Sequence, residues 1–370
     1  MIGSLIRRLL LTAGWFLVGG TLLSFFRTGS WIVRVWDFPR LQIASAGTLI
    51  AAIFAKCFYR RCQSDAVFVA SVAACSLWQG WKILRYTPIW PNQVKRTRRQ
   101  GKDSGCTFSL LISNVLMENT EHDRLLKVIR KRNPDIVLAV ETNARWAAAL
   151  EPLSRTYPYV VRRPQENYYG LMLFSRIKLV DPEIKFLVQD DIPSVHVAFE
   201  LPGGGRVHLH GLHPRPPEPI RDQDSTPRDA ELVLMGKAIR DAEHVPTLVA
   251  GDLNDVAWSQ TSELFMRLSG LLDPRIGRGL YNSFDANHRF WRYPLDHVFH
   301  SNHFRLVHLE RLPNIGSDHF PMYIELSLEP DAPLEQPKTE EEEGDQEIAE
   351  ETLEDQAEAA AKGEDRPGRE

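Results

Sequence analysis

The stretch Val249-Ala250-Gly251-Asp252-Leu253-Asn254 decides the fold. The apolar run that ends at Ala250 predicts a buried strand, and Gly251 lets the backbone turn sharply without a Cβ clash. The turn places the Asp252 carboxylate and the Asn254 amide on one face of the chain. A carboxylate can hold a cation or an attacking water, and an amide can donate to a phosphoryl oxygen as its charge grows. The stretch therefore suits a metal-assisted phosphate site, although a strand ending in a polar turn would look the same.

Strand and helix patterns alternate on both sides of this stretch, from residue 105 onward. Thr107 to Val115 predicts a strand, Glu121 to Lys131 a helix, and Asp135 to Val140 a second strand. This succession, broken at Asn133-Pro134, indicates a layered α/β domain. Other strands are predicted at 159–162, 170–175, 195–201, 207–212, 297–300, 306–310 and 322–328, and helices at 144–153, 228–242 and 259–268.

The overall net charge of −4 hides three regions of different charge. Residues 1–102 carry 15 Lys and Arg against two acids, a net of +13, and residues 339–370 have a net of −11. The remainder, with a net of −6, lacks the basic surface of a dedicated duplex-DNA binder. Residues 331–370 are predicted to be an acidic, disordered tail, transiently helical within 347–361, that offers a surface to a basic protein partner.

The basic amino-terminal region is also the apolar one. Leu9 to Phe26, Leu41 to Ala55 and Ala66 to Trp81 are uncharged runs, and they predict about three transmembrane helices within residues 1–88. Only the first run meets the length rule unaided, so the others could be a tilted pair or re-entrant. A secretory signal is the alternative for the first 26 residues. The favoured interpretation is an integral membrane protein in contact with the lipid bilayer.

Sidedness stays open at this stage. Arg7 and Arg8 favour a cytoplasmic amino terminus, which with three spans places the later domain outside. The cluster from Lys95 to Lys102, in a basic juxtamembrane linker at 89–104, favours a cytoplasmic catalytic domain instead. Cys106 is the only cysteine beyond the apolar region, so no internal disulfide framework is expected there.

Polar clusters stand at the ends of the predicted strands. They are Asn114, Glu141, His213, Asp252 with Asn254, Asp296, and Ser317-Asp318-His319. Each has a plain structural explanation: Asn114 could cap a turn, Glu141 could cap a helix, and His213 could be an ordinary loop residue. Their shared position favours function, because α/β folds gather their sites at strand ends.

Seven segments in this order resemble the endonuclease/exonuclease/phosphatase superfamily, the fold of deoxyribonuclease I, exonuclease III, neutral sphingomyelinases and inositol polyphosphate phosphatases. They are Ser113-Asn114-Val115, Val140-Glu141-Thr142, Gly170-Leu171-Met172-Leu173-Phe174-Ser175-Arg176, His210-Gly211-Leu212-His213-Pro214, Gly251-Asp252-Leu253-Asn254, Leu295-Asp296-His297-Val298 and Gly316-Ser317-Asp318-His319. The resemblance covers residues 105–328. It implies a catalytic domain at 105–330 with two packed mixed β-sheets and helices on both outer faces. The most similar subgroup is bacterial and membrane-anchored, which implies the inner membrane.

The resemblance also implies a divalent cation. Glu141, Asn114 and Asp318 would hold it, and Mg²⁺ is the expected ion, with Mn²⁺ also compatible. Carboxylate, amide oxygen and water ligands without cysteine match the preference of these ions.

The same resemblance implies the catalytic roles. His319 would be the general base on the attacking water, held in the useful tautomer by Asp296. Asp252 would position that water, and Asn254 and His213 would donate to the phosphoryl oxygens in the transition state.

Substrate contacts are expected from Arg215, Tyr169 and Trp291. Trp291 belongs to a loop at 275–292 in which arginines alternate with aromatic residues. This loop could be a phosphate clamp with an aromatic wall, or a solvated loop whose arginines meet the domain's own acids.

Three functions are compatible with these features. A phosphoesterase acting on a lipid headgroup or a small phosphorylated substrate is favoured by the apolar helices and the acidic domain. A nuclease acting on nucleic acid is the alternative, because nucleases are common in the superfamily and the 275–292 loop is rich in Arg and aromatic residues. A catalytically silent membrane scaffold with an acidic recruiting tail is disfavoured, since every catalytic position holds a competent side chain.

Overall fold

The computed structural model describes residues 1–98, 105–217, 224–242 and 245–363. Its amino-terminal part contains the helices α1 Ile2–Leu23, α2 Trp31–Arg34, α3 Arg40–Cys57 and α4 Gln63–Leu84. The helices α3 and α4 contain two of the predicted apolar runs, and α1 contains the first run as far as Leu23. Each of the three helices is long and apolar enough to cross a membrane. Phe54 and Phe68 are fully buried where these helices pack together.

The part of the chain from residue 105 to 328 is built on two β-sheets. The first contains β1 Thr107–Asn114, β2 Ile136–Val140, β3 Tyr159–Arg163, β4 Leu171–Ser175, β10 Phe304–Arg311 and β11 Met322–Leu328, in the order β10-β11-β1-β2-β4-β3. The second follows chain order and contains β5 Leu179–Lys185, β6 Ser194–Glu200, β7 Arg206–Gly211, β8 Thr247–Asp252 and β9 Asp296–His300. Both sheets are mixed, because β1 pairs with β2 and β7 with β8 in parallel while the other pairs are antiparallel.

Alternate side chains on the strands serve two different layers. Leu110 on β1 and Leu248 on β8 point between the sheets and belong to the central core. Their neighbours face outward: Leu111 packs under the helices α5 His122–Arg132 and α6 Ala144–Leu150. Val249 packs under α7 Thr226–Asp241 and α8 Gln260–Ser269. The predicted sandwich of two mixed sheets flanked by helices is confirmed, and burial of each such side chain stabilises it by about 1.5–3 kcal/mol.

One strand is absent from the sequence prediction. β5 contains Asp181-Pro182, and proline lowers the expectation of a strand because it cannot donate to a ladder. The structure accommodates Pro182 at an irregularity between Val180 and Glu183, on the edge strand of the second sheet. An edge position leaves one side of the strand without a neighbour, so the missing N–H costs little.

The structure differs from the prediction of a disordered tail over 331–363, and residues 364–370 of that tail lie outside the described residues. Over 331–363 the chain forms α9 Ala332–Glu335 and α10 Asp345–Lys362, and Ala349 of α10 is fully buried against α7 and α8. Arg267 of α8 also donates to both carboxylate oxygens of Asp345, at 2.7 and 2.9 Å. Composition could not show this, because the few apolar residues of α10 gather on one face only once the helix has formed.

The amino-terminal region docks on the segment that follows Asn254. Tyr86 donates to the carbonyl of Ala257 at 2.6 Å, and Trp258 donates to the carbonyl of Asp37 at 2.7 Å. Lys82 of α4 forms a 2.8 Å ion pair with Glu263. Gln260 donates to the carbonyl of Ser24, next to the end of α1, at 2.7 Å. The docked ends are therefore the carboxyl ends of α1 and α4 and the amino end of α3. Of the predicted linker at 89–104, residues 99–104 lie outside the described residues.

Candidate active site

The polar clusters meet at one edge of the sandwich. Asn114 and Glu141 come at the carboxyl ends of the parallel strands β1 and β2. Asp252 ends β8 and pairs directly with Asp296, which begins the antiparallel strand β9. Because the two sheets pack face to face, these four side chains come together from both halves of the domain.

Asn114 links the carboxylates of the two sheets. Its Nδ2 donates to Glu141 Oε1 at 2.6 Å and to Asp252 Oδ2 at 2.9 Å, while its Oδ1 accepts from the backbone N–H of Leu116 at 3.0 Å. In this arrangement the amide NH₂ group, rather than the amide oxygen, faces the carboxylates. Asn114 therefore holds the predicted cation ligands at close range through hydrogen bonds.

Glu141 occupies an unusual backbone position. Its φ of 61° lies in the left-handed region, and the backbone N–H of Met117 donates to its Oε2 at 3.3 Å. Burial raises the pKa of Glu141 to about 7, and the nearby Asp252 charge acts in the same direction, whereas the Asn114 hydrogen bond opposes both. The site thus crowds negative charge around this carboxyl.

His319 lies between two carboxylates. Its Nδ1 is 2.8 Å from Asp296 Oδ2, and its Nε2 is 3.5 Å from Asp252 Oδ2. Burial alone would lower the pKa of His319, but Asp252 and Asp296 together outweigh it and raise this pKa to about 10. Ser317 fixes the turn, because its Oγ accepts from the N–H of His319 and donates to the carbonyl of Asn114.

His213 approaches the same carboxylate from another side. Its Nε2 is 3.8 Å from Asp252 Oδ2, and its ring centroid is 5.6 Å from that of Tyr169. Burial lowers the pKa of His213 to about 4 although Asp252 opposes the shift, so the imidazole is neutral at pH 7. Among the described residues its buried Nδ1 has no hydrogen-bond partner.

The turn after β8 depends on close backbone contacts. A Cβ on Gly251, where φ is 146°, would lie 1.9 Å from the carbonyl oxygen of Leu212. Asn254 has a φ of 52°, and its N–H donates to Asp252 Oδ1 at 2.9 Å. Its side-chain Nδ2 donates to the carbonyl of Pro214 at 3.0 Å, which holds the amide beside the His213 loop.

The donor set fits a hard divalent cation. Ligand atoms of Glu141, His213 and Asp252 lie within 4.8 Å of one another, and so do those of Asp252, Asp296 and His319. The second oxygen of Asp296, Oδ1, is buried without a hydrogen-bond partner among the described residues. Buried, oxygen-rich and without cysteine, the cluster matches Mg²⁺ or Mn²⁺ chemistry.

Asp318 lies at the margin of this cluster. Its carboxylate is half-buried, belongs to neither group of converging ligand atoms, and accepts from Ser317 Oγ at 3.3 Å. Burial raises the pKa of Asp318, and the negative charge of Asp252 adds to the effect. The charge of Asp252 therefore acts on Asp318, although the Asp318 oxygens do not converge with the other ligand atoms.

The three expected substrate contacts occupy different places. Tyr169 is buried against His213, and Arg215 is buried two residues beyond it. Trp291 is 53% exposed, in a loop beyond the buried carboxylates. The structure places Tyr169 beside His213, keeps Arg215 buried in the same loop, and leaves Trp291 at the surface.

The arginines of the 275–292 loop are largely engaged within the protein, which counts against a phosphate clamp, and Arg275 meets an acid as the alternative predicts. Arg275 forms a buried 2.8 Å ion pair with Asp273. Arg278 donates to the carbonyl of Pro274 at 3.0 Å, and Arg292 donates to the carbonyl of His288 at 2.7 Å. Arg289 is exposed.

Sequence reasoning missed Arg228. This residue of α7 is 1% exposed, donates to Asp229, and lies 3.5 Å from the carboxylate of Asp255. Its Nη1 also donates to the backbone carbonyl of Asn254 at 2.7 Å. The sequence carries no signal that Arg228 supports the turn at Asn254, because an arginine beside an aspartate in a helix normally lies on the solvated face.

Comparison with known proteins decides the family. The model of the endonuclease/exonuclease/phosphatase family matches residues 111–319. The chain belongs to this family. The family's metal-dependent hydrolases cleave phosphoric esters, and the chain is an enzyme of this class. A comparison with curated proteins finds no match.

Solved structures of the same fold cover the catalytic domain. TDP2 of D. rerio, complexed with single strand DNA product, is 17% identical with a TM-score of 0.51, and the match covers 60% of this chain and 99% of that one. The human nocturnin catalytic domain, with a bound sulfate anion, is 18% identical with a TM-score of 0.50, and the match covers 60% and 94%. At these identities the likeness supports the fold alone.

Proposed function

We propose that this member of the endonuclease/exonuclease/phosphatase family is a membrane-anchored phosphoesterase that hydrolyses a lipid headgroup ester or a small phosphorylated substrate by attack of water. One observation carries the proposal. Asp252 Oδ2 is 2.9 Å from the Asn114 amide, 3.5 Å from His319 and 3.8 Å from His213, so residues from three distant segments surround one carboxylate. Burial opposes the charge of Glu141, and converging buried groups with perturbed pKa values are typical of functional sites.

The proposed cation is Mg²⁺, held by Glu141, with Asp318 contributing from the margin of the cluster and Asn114 in support; Mn²⁺ has the same preference for oxygen ligands. When bound, a divalent cation polarises the phosphoryl oxygen as a Lewis acid. Asp252 positions the attacking water. Asn254 and the neutral His213 donate hydrogen bonds to the phosphoryl oxygens as their charge grows.

His319 is the residue proposed to transfer the proton, and Asp296 orients it. Asp296 accepts from Nδ1, which directs Nε2 towards Asp252 and the cleft. While the surrounding carboxylates are uncompensated, the pKa of about 10 keeps the imidazole of His319 protonated, which suits donation to a phosphoryl or leaving oxygen. His319 can act as a general base only when a bound cation balances the negative charge of the surrounding carboxylates.

The anchoring half of the proposal is supported by three helices. α1, α3 and α4 each meet the length and hydropathy of a membrane span, and they dock on the segment directly after Asn254. A bacterial inner-membrane location follows from the membrane-anchored bacterial subgroup that the sequence resembles. The helices would keep the cleft close to the bilayer.

A nuclease is the second candidate. The exposed Arg289, Phe290 and Trp291 offer a cation and aromatic faces on which bases can stack. The acidic balance of the domain and the inward pairing of Arg275 and Arg278 weigh against it.

The test uses the full chain in detergent with Mg²⁺. Hydrolysis is measured on phospholipid vesicles, on bis(p-nitrophenyl) phosphate and on plasmid DNA. Glu141→Gln should lower hydrolysis by at least about 100-fold. Glu183→Gln, which alters a carboxylate 61% exposed on β5, is the matched control and should retain activity.

Three results would change the conclusion. Faster cleavage of DNA than of phospholipid favours the nuclease. Equal activity of Glu141→Gln and the wild type removes the proposed site. Failure to hydrolyse any of these esters with Mg²⁺ or Mn²⁺ overturns the proposed function.

A further inference from the structure

The loop 285–292 connects the candidate site to the first turn of α3. At one end, the N–H of Ala286 donates to the carbonyl of Asp318 at 2.6 Å, and the adjacent Phe284 ring lies 4.9 Å from the His319 ring. At the other end, Gln42 of α3 donates to the carbonyl of Phe290 at 2.8 Å. The same short loop thus contacts the catalytic histidine's surroundings and an apolar helix.

Chain length limits the distance between these two contacts. Phe290 follows Phe284 by only six residues, and an extended chain advances at most about 3.6 Å per residue. The Phe284 backbone beside His319 therefore lies within roughly 20 Å of the backbone beside Gln42. That distance is smaller than the thickness of a bilayer, about 40 Å.

The tip of the loop holds aromatic side chains away from the protein. Phe290 is 79% exposed and Trp291 53% exposed, and the base of the loop is closed by the N–H of Phe284 donating to the carbonyl of Tyr293 at 2.9 Å. Phe25 and Trp81, at the docked ends of α1 and α4, are also 50% and 58% exposed. Aromatic side chains are favourable at the membrane–water interface, where the ring meets the lipid headgroups.

The charge of the tip suits an anionic surface. Asp285 is engaged within the loop, because its carboxylate contacts His288 at 2.7 Å and accepts from the N–H of Asn287 at 2.7 Å. Arg289 is exposed between these residues and the aromatic pair. A cation beside exposed rings matches anionic lipid headgroups over an apolar layer.

A groove between the helices α3 and α4 begins next to Gln42. It occupies 480 Å³ between α3 and α4, is lined by small residues such as Ala44 and Gly80, and includes Leu41, the neighbour of Gln42. An apolar groove on the surface of two helices that are long and apolar enough to span a membrane can accept an acyl chain. Its position beside Gln42 places the end of such a chain next to the loop.

We infer that the loop 285–292 enters the bilayer interface beside α3, and that the substrate is a lipid phosphoester drawn from the same membrane. Its acyl chain would lie along the α3–α4 groove while its phosphate reaches Asp252 and His319. The loop contact stands on the geometry above, and the substrate class rests on the proposed function.

The bilayer contact is tested by ¹⁹F relaxation on the full chain in nanodiscs of phosphatidylethanolamine and phosphatidylglycerol. 4-Fluorophenylalanine is placed at position 290 or, as the matched control, at position 186, where the native Phe is 39% exposed on the catalytic domain. A lipid with a doxyl spin label high on its acyl chain should broaden the signal at 290 and not that at 186. Equal broadening at both positions, or none at 290, overturns the contact.

The substrate class is tested by kinetics of Phe290→Ser and Phe186→Ser. The ratio of phospholipid hydrolysis in vesicles to hydrolysis of bis(p-nitrophenyl) phosphate should fall at least about tenfold in Phe290→Ser and stay constant in Phe186→Ser. An unchanged ratio in Phe290→Ser overturns the lipid assignment. So does an equal fall, in the same variant, of the ratio of single-stranded DNA hydrolysis to bis(p-nitrophenyl) phosphate hydrolysis.

The two levels of inference fail separately. A wild-type chain that cleaves bis(p-nitrophenyl) phosphate but no phospholipid overturns the lipid substrate and keeps the phosphoesterase. A wild-type chain that cleaves neither ester overturns the proposed function, and the ¹⁹F result still decides the bilayer contact.

Discussion

Arg228 donates from Nη1 to the backbone carbonyl of Asn254 at 2.7 Å, across 26 positions of the chain. The same guanidinium pairs with Asp229, which also binds Arg34 of α2 at 2.5 Å. A buried network thus joins the amino-terminal region to the turn that carries Asp252. The turn depends on contacts made outside its own loop.

Arg228→Met should destabilise the domain by about 3–5 kcal/mol, because it leaves Asp229 and Asp255 buried with less positive charge. Thermal unfolding of the full chain in detergent measures this loss. Arg206→Met is the control, since its pair with Asp181 is exposed and should contribute at most about 1 kcal/mol. Equal shifts in the two variants would contradict the network.

Asp296→Asn should lower kcat by about 100-fold or more with little change in KM, because the amide cannot hold His319 in the same tautomer. The pH dependence of kcat should also shift, since Asp296 helps to raise the pKa of His319. Asp181→Asn, an exposed aspartate, serves as the control. A variant with normal kcat and an unchanged pH profile would exclude the proposed role of Asp296.

Gly251→Ala should destabilise the fold by several kcal/mol, because the new Cβ would meet the Leu212 carbonyl at 1.9 Å. Gly204→Ala is a matched control: Gly204 also has a positive φ, of 89°, but its Cβ would meet open space. The control should lose only about 1 kcal/mol. Similar losses in chemical denaturation would show that backbone conformation, and not the close contact, requires glycine at 251.

Stability should fall with rising pH on account of Glu231. Burial raises the pKa of this α7 carboxyl from 4.5 to about 8, so the folded chain keeps a proton that the unfolded chain releases above pH 4.5. Between these values stability decreases by up to about 1.4 kcal/mol per pH unit, and the full penalty is present above pH 8. Glu231→Gln should therefore raise Tm at pH 8 and leave it almost unchanged at pH 4.5.

The control for this prediction is Glu183→Gln, which changes an exposed carboxylate. Its Tm should follow that of the wild type at both pH values. An equal Tm for Glu231→Gln and the wild type at pH 8 would mean that Glu231 is ionised without penalty.

Ala349→Glu should release α10 from α7 and α8, because it places an unpaired carboxylate among Val233 and Leu268. Hydrogen exchange should then accelerate along 345–362. Glu354→Ala, which changes an exposed position of the same helix, should leave exchange slow. Fast exchange already present in the wild type would restore the prediction of a disordered tail.

Local sequence patterns predicted most of the strands and helices of the fold. The alternation at Leu110-Leu111 and at Leu248-Val249 specifies one face for the central core and one for the helices, because side chains alternate along a strand. The polar residues at strand ends were visible for the same reason. β5 was hidden by Pro182, and the packing of α10 was hidden by its acidic composition.

The sequence by itself determined which residue types stand at the strand ends, and hence the family and the class of chemistry, since these depend on neighbours along the chain. Only the tertiary structure decided the pKa shifts of His319 and Glu141, the link from Arg34 through Asp229 to Arg228, and the reach of the 285–292 loop to Gln42. These properties arise from burial and from contacts between residues far apart in the chain. Folding creates both.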